Sequence, residues 1–307
     1  MPEVYTIVKD VRPFHPLLGC NGLLDSRSWN YALQPILAPI KPVRHQDAVG
    51  ILDQGQVGSC TGESALSCSY HEPFYAPGAP SWAFSPDQPG AYAWYARNTR
   101  EDSYPGTFTY PPTGGDDTGS DTLTSAKVAQ EAGIITGYQM AGDLDSSLET
   151  LQDRPGQTGI PWYNSMFGAP SSGLLTVDVK SGLAGGHALC VDEIVAADDP
   201  RNGTGKMLVG MPNSWGPNFG DHGRCYLTVD DWWMLRQQQG DVYFWMPKSQ
   251  PAPVPTPPGP PAPVPGAGDA DLWAAGENFS KEHHALPEYR RLAAVLRGWG
   301  PGKGFSA

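Results

Sequence analysis

The cysteine at position 60 stands in DQGQVGSCTG, residues 53–62, a stretch that surrounds a thiol with features a packing cysteine does not need. Gly55 and Gly58 loosen the approach, and a helix-like segment begins at Cys60 or just after it. A thiol there meets the positive end of a helix dipole, which favours the thiolate. A nucleophilic sulfur needs a base. Among seven histidines, His187 in GGHALCVDEIV is the best placed, opening a strand-like run behind two glycines that leave space around the ring. His45, His71, His222, His283 and His284 sit in polar or turn-like surroundings, and His15 in an irregular segment. A third group lies in PNSWGPNFGDHG, residues 212–223. The Asn213 amide can accept from the imidazole N–H that faces away from the sulfur, fixing its tautomer, and Trp215 can cover that bond from water. Each feature alone has a plainer explanation: a buried thiol, a satisfied histidine, a glycine-rich turn with a packed Trp. Together they describe nucleophilic catalysis by a Cys–His–Asn set.

With His187 about 130 residues after Cys60 and Asn213 following, the arrangement resembles the papain-like cysteine peptidases, in particular their short bacterial and viral branch. The resemblance covers residues 45 to 245. It implies Cys60 as nucleophile, His187 as base, Asn213 as orienting amide and Trp215 as shielding indole. Gln54, six residues before the cysteine, falls on the family's oxyanion-hole donor, to act with the Cys60 backbone N–H. In TGSDTLTSAKVAQEAGI, Gly119 and Ser120 fall on the backbone edge offered to substrate, Ser replacing a second Gly, and Gly186 and Trp215 are expected to bind substrate with them. The implied fold is α+β and two-lobed, a helical lobe and an antiparallel, β-barrel-like lobe with the active-site cleft between them. The implied chemistry needs neither metal nor organic cofactor. Departures remove no catalytic group: Val57 stands where many relatives carry a disulfide cysteine, Thr61 and Phe219 replace usual tryptophans, and Glu63 sets a carboxylate one turn from the thiol.

The elements that must position these residues follow from patterning. After Cys60 the helical stretches are TGESALSCSYHE, AYAWYARNTRE and TLTSAKVAQEAGI, the last ending at Gly133. From about residue 157, short strand-like runs take over: GLLTVDV, HALCVDEIVA, KMLVGM and RCYLTV, with YLTVDDWWMLRQQQGDVYFW as the closing strands. Helices first and antiparallel strands later fit the α+β class.

At 307 residues, with 39% hydrophobic content and ten Trp, the chain can bury a large core. A net charge of -12 disfavours nucleic-acid binding and a polybasic membrane anchor. The N-terminus has neither the basic opening nor the apolar run of a signal peptide or membrane span. The expectation is cytoplasmic synthesis, with release by lysis or a place in a virus particle left open. Five cysteines without a CxxC pair argue against a disulfide framework or a structural zinc site. Nine of the seventeen residues 250–266 are Pro, marking a linker. The expected domains are an N-terminal extension (1–45), a peptidase domain (46–249), the linker (250–268) and a short helical tail (269–307) that could dock on a protein partner or on its own domain.

The expected activity is cysteine endopeptidase cleavage of protein or peptide substrates. Two alternatives stand beside it: a phage- or wall-associated hydrolase of peptidoglycan peptides with the same fold, and a catalytically silent binding protein. A transglutaminase uses a similar triad, but the Gln54 loop and NSWG favour peptidase chemistry.

Overall fold

The structure, a computed structural model of the chain, describes residues 18–21, 39–75, 83–110 and 116–248. The linker and tail, and most of the N-terminal extension, lie outside the described residues.

Helices α1 (Cys60–Ser69), α2 (Gln88–Glu101) and α3 (Thr122–Glu131) occupy the three stretches read as helical. Asp87 and Asp121 start α2 and α3 by accepting from the N–H groups of Gly90 and Thr124, caps worth about 1 kcal/mol each. Every residue of α1 is buried, although CTGESALSCS has little apolar character. Its small side chains let it sit at the centre. A methyl group on Gly62 would meet the Ala91 carbonyl oxygen at 2.4 Å, so α2 crosses α1 at backbone contact. Some of the polar groups carried inside are bonded: Gln157 Nε2 donates to Thr61 O and Ser64 Oγ at 3.1 and 2.9 Å, and Asn98 Nδ2 donates to Ser125 Oγ at 2.7 Å. Around these helices one core gathers Leu66, Trp94, Ile135 and Trp245. Complete burial of a side chain such as Leu66 contributes about 2 kcal/mol.

Two four-stranded antiparallel sheets complete the body. One has the order β2 (Gly137–Met140), β8 (Asp241–Met246), β3 (Gly156–Tyr163), β4 (Leu183–Val191). The other has the order β1 (Val43–Arg44), β5 (Glu193–Val195), β6 (Leu208–Pro212), β7 (Arg224–Thr228). Only Asp192 separates β4 from β5, so one extended path leaves the first sheet and enters the second. A second core, including Ile160, Leu189, Val209, Trp232 and Phe244, fills this region. Helices and antiparallel sheets thus build the expected α+β fold.

Two local expectations need correction, and one helix was not anticipated. The closing run contains a helix, α5 (Val229–Gln237), capped by Thr228 with Asp230 and Asp231 in its first turn and Arg236 in its last. Those charges suit the helix dipole and outweigh the β-preference of the Trp pair. A further helix, α4 (Leu144–Asp153), is capped by Asp143. GLLTVDV, residues 173–179, makes only one bridge, Leu174 to Tyr226. It then enters a 3-10 turn, Val179–Ser181, where Asp178 accepts from the Lys180 N–H. Side-chain capping there competes with strand pairing.

A buried ion network ties the end of α1 to both sheets. Arg224 donates to the two Asp192 oxygens at 3.0 and 2.6 Å and to Glu193 Oε2 at 2.9 Å, while His71 Nε2 lies 3.1 Å from Asp192 Oδ2. Burial opposes the Asp192 charge, but Arg224 and His71 hold its carboxyl below the usual carboxylate range. Burial likewise opposes a His71 charge, yet contacts with Cys190 and Asp192 raise it well above the ordinary value.

Candidate active site

Cys60 opens α1, and the loop before it folds back on itself. Gly55, at φ +57°, makes the turn in a region that favours glycine. The Val57 N–H then donates to Gln54 O at 3.1 Å and Gln54 Nε2 donates to Val57 O at 2.7 Å. Ser214 grips Gln54 from the other side: the Gln54 N–H donates to Ser214 O at 2.8 Å, and Ser214 Oγ donates to Gln54 Oε1 at 2.5 Å. The loop before Cys60 and the residue after Asn213 therefore form one hydrogen-bonded unit.

His187 stands on β4 opposite Ile160 of β3, and Asn213 directly follows β6. His187 Nε2 lies 2.8 Å from Asn213 Oδ1, which also accepts from the Ser214 N–H at 2.8 Å. Trp215 covers the imidazole with ring centroids 4.8 Å apart. Trp162 meets the same ring edge-on, also at 4.8 Å. Trp162 was not anticipated from the sequence. Its signal was the bulky PWY end of β3, whose partner across the sheet at Trp162 is Gly185. Enclosed in this way, His187 is pushed down to about 4 by burial, against the raising effect of its bond to Asn213. Its Nδ1 is buried and has no hydrogen-bond partner.

Gly119, Ser120 and Gly186 all contact a stretch of the chain itself, Leu18–Asn21. The Ser120 N–H donates to Gly19 O at 2.7 Å, the Asn21 N–H to Ser120 O at 2.6 Å, and the Cys20 N–H to Gly186 O at 3.1 Å. Asn21 Nδ2 donates to Thr118 O at 2.9 Å, and Tyr104 Oη donates to Asn21 O at 2.6 Å. The fit is at backbone distance. A methyl group on Gly19 would meet Gly58 O at 1.7 Å, and one on Gly186 would meet Cys20 O at 1.9 Å. Asp117 braces this region, accepting from the Gly58 N–H and from Tyr95 Oη, each at 2.7 Å. Cys20 packs in one small cluster with Cys60 and Ala188.

Under this cover Cys60 has no exposed surface. Burial pushes its thiol up to about 12, although backbone N–H groups of Ala188 and Gly19 favour the thiolate; Glu63 and Asp117 add to the rise. The thiolate expected from the helix dipole is therefore not the form present here, and Cys60 and His187 are both neutral. Desolvation is the cause, since neither group faces water. Glu63, read from the sequence as a carboxylate one turn from the thiol, also behaves differently. Burial pushes it up to about 8 despite hydrogen bonds from Ser59 and Gln88, so near neutral pH it holds its proton. Among the described residues no group of His, Cys, Asp and Glu is arranged to hold a metal.

No protein-family model and no curated protein sequence matches the chain. Solved structures do. Xylellain, a cysteine protease from Xylella fastidiosa, superposes with a TM-score of 0.53 at 17% identity, covering 75% of this chain and 96% of that one. The Amb a 11 cysteine protease of ragweed pollen, in its proform, gives 0.46 at 16% identity, covering 76% and 64%. A procathepsin B from Trypanosoma congolense gives 0.44 at 14% identity, covering 76% and 87%. The likeness to xylellain shows that this chain has the papain-like fold.

Proposed function

We propose that this chain is a cysteine peptidase that hydrolyses peptide bonds in protein or peptide substrates through a thioester on Cys60. One observation carries the reading: the chain over Cys60 already holds a short stretch of polypeptide, Leu18–Asn21, by backbone hydrogen bonds exchanged with Ser120 on one side and donated to the Gly186 carbonyl on the other. Such main-chain pairing is indifferent to side chains and suits a peptide substrate.

In the proposed reaction, Leu18–Asn21 leaves, water reaches the sulfur and the imidazole, and both pKa values relax toward an ion pair. Cys60 Sγ attacks the scissile carbonyl carbon as His187 Nδ1 holds the thiol proton. The Cys60 backbone N–H and an N–H of the Gln54 amide stabilise the oxyanion. His187 then gives the proton to the departing amine, leaving the thioester. A water deprotonated by His187 hydrolyses it, and the thiol is restored. Asn213 keeps Nε2 protonated, so that Nδ1 is the atom that exchanges protons.

The test is mass-spectrometric mapping of cuts in a peptide library by the full chain carrying Gly19→Val, which unseats the covering segment, with and without Cys60→Ala. Cuts should disappear with Cys60→Ala while the fold is retained. Cutting that persists refutes the nucleophile assignment. An uncut library with peptides released from purified cell wall would redirect the reading to peptidoglycan.

A further inference from the structure

Glu63, Ser67 and Asn213 share a feature that the hydrolysis scheme does not use. With Ser64, Leu52 and Ser214 they line a cavity of about 10 Å³ beside the His187–Asn213 pair, room for a single water. Three side-chain atoms of these lining residues are buried without a hydrogen-bond partner: Glu63 Oε2, Ser67 Oγ and Asn213 Nδ2. Leaving three such atoms unmade is strongly disfavoured. The other half of each planar group is committed. Glu63 Oε1 accepts from Ser59 Oγ at 2.8 Å and from Gln88 Nε2 at 2.5 Å, and Asn213 Oδ1 accepts from His187 and Ser214.

We infer that Glu63 is a positioning residue for Asn213, acting through one water held in this cavity. The water accepts from Asn213 Nδ2–H and from the protonated Glu63 Oε2–H, and donates to Ser67 Oγ. A partner on the nitrogen side of the amide makes rotation costly. Asn213 cannot present Nδ2 to the imidazole without losing the water on one side and the Ser214 N–H on the other. Oδ1 stays on Nε2, and Nδ1 stays the basic atom. Glu63 and Ser67 lie three and seven residues along α1 from Cys60. The helix face that presents the thiol therefore also carries the support for the base's partner.

This inference rests on the peptidase reading only for its kinetic arm. In the full chain with Gly19→Val as background, Glu63→Leu should lower kcat about tenfold while KM stays within about twofold, and Glu63→Gln, which keeps an uncharged donor, should stay within about threefold of the parent. Adding Glu63→Leu to Asn213→Ala should cost nothing further, because no amide remains to be held. Effects that multiply in the double variant, or a Gln variant as impaired as the Leu one, overturn the proposal. The second arm needs no turnover: ¹⁵N NMR of His187 should show the Nε2–H tautomer in the parent and Glu63→Gln, and a tautomer mixture in Glu63→Leu. An unchanged tautomer in Glu63→Leu overturns the proposal even if no variant cuts any peptide. Should Glu63→Leu fail to fold, Ser67→Ala, which leaves the bonds of Glu63 to Ser59 and Gln88 intact, must shift the tautomer in the same direction.

Discussion

Trp215 lies over the His187 ring and Trp162 against its edge, so indole surface replaces water around the imidazole. That enclosure is the main reason the ring's pKa drops from 6.5 to about 4. Trp215→Ala should let water in and raise the His187 pKa back toward its ordinary value, which an NMR titration of the ring would record. A value that stays low would assign the effect to Trp162 and the sheet instead. At this level the bond between His187 and Asn213 and the Trp215 cover over it could be read from NSWG, where the Trp follows the Asn by two residues. Glu63 was not readable. Its protonation depends on burial of a helix made of small polar residues, and nothing in CTGESALSCS announces that all of it is inside.

Among elements, the piece with the largest consequence is the short stretch Leu18–Asn21. It is held across the groove by the backbone of Ser120 and Gly186 and seated where only glycine fits against Gly58. Gly19→Val should expel it, so Cys60 should react with iodoacetamide many times faster than in the parent chain. Equal rates would mean that the stretch does not guard the thiol. The second element-scale prediction concerns the network that joins α1 to the sheets. Arg224→Met removes the guanidinium shared by Asp192 and Glu193, leaving His71 on the first and the more exposed Arg44 and Arg201 on the second, and should destabilise the chain by about 3 kcal/mol, read as a lower urea midpoint at unchanged slope. Helices α2 and α3 were legible from the sequence as the helical runs AYAWYARNTRE and TLTSAKVAQEAGI, though their Asp caps were not, whereas the strand assigned to 173–179 dissolved into a bridge and a capped turn. Hydrophobic alternation cannot see that the Asp178 side chain accepts from the Lys180 N–H. Pairing of Leu18–Asn21 with residues as far along the chain as Ser120 and Gly186 leaves no periodic trace at all.

For the molecule as a whole, buried acids set the pH response. Glu63 and Asp241 are raised from 4.5 and 3.8 to about 8 and about 7, chiefly by burial. Each binds its proton more tightly when folded, so its stabilising contribution is complete below the unfolded value and disappears as pH climbs through the folded one. His71, raised above 6.5, adds to the same trend. Below pH 6.5 the lowered His187 opposes this trend, so stability should fall between about pH 6.5 and about pH 8, and Glu63→Gln should flatten the fall in urea midpoints measured across that range. A midpoint that rises with pH would show that these groups ionise freely in the native chain.

The two indoles flanking His187 have a spectroscopic consequence. A positively charged imidazole in contact with tryptophan drains its excited state, so emission from Trp162 and Trp215 depends on whether that ring carries a proton. Uncovering the sulfur and charging the imidazole should then dim the chain's intrinsic fluorescence, giving an optical gauge of the transition that needs neither a label nor a substrate.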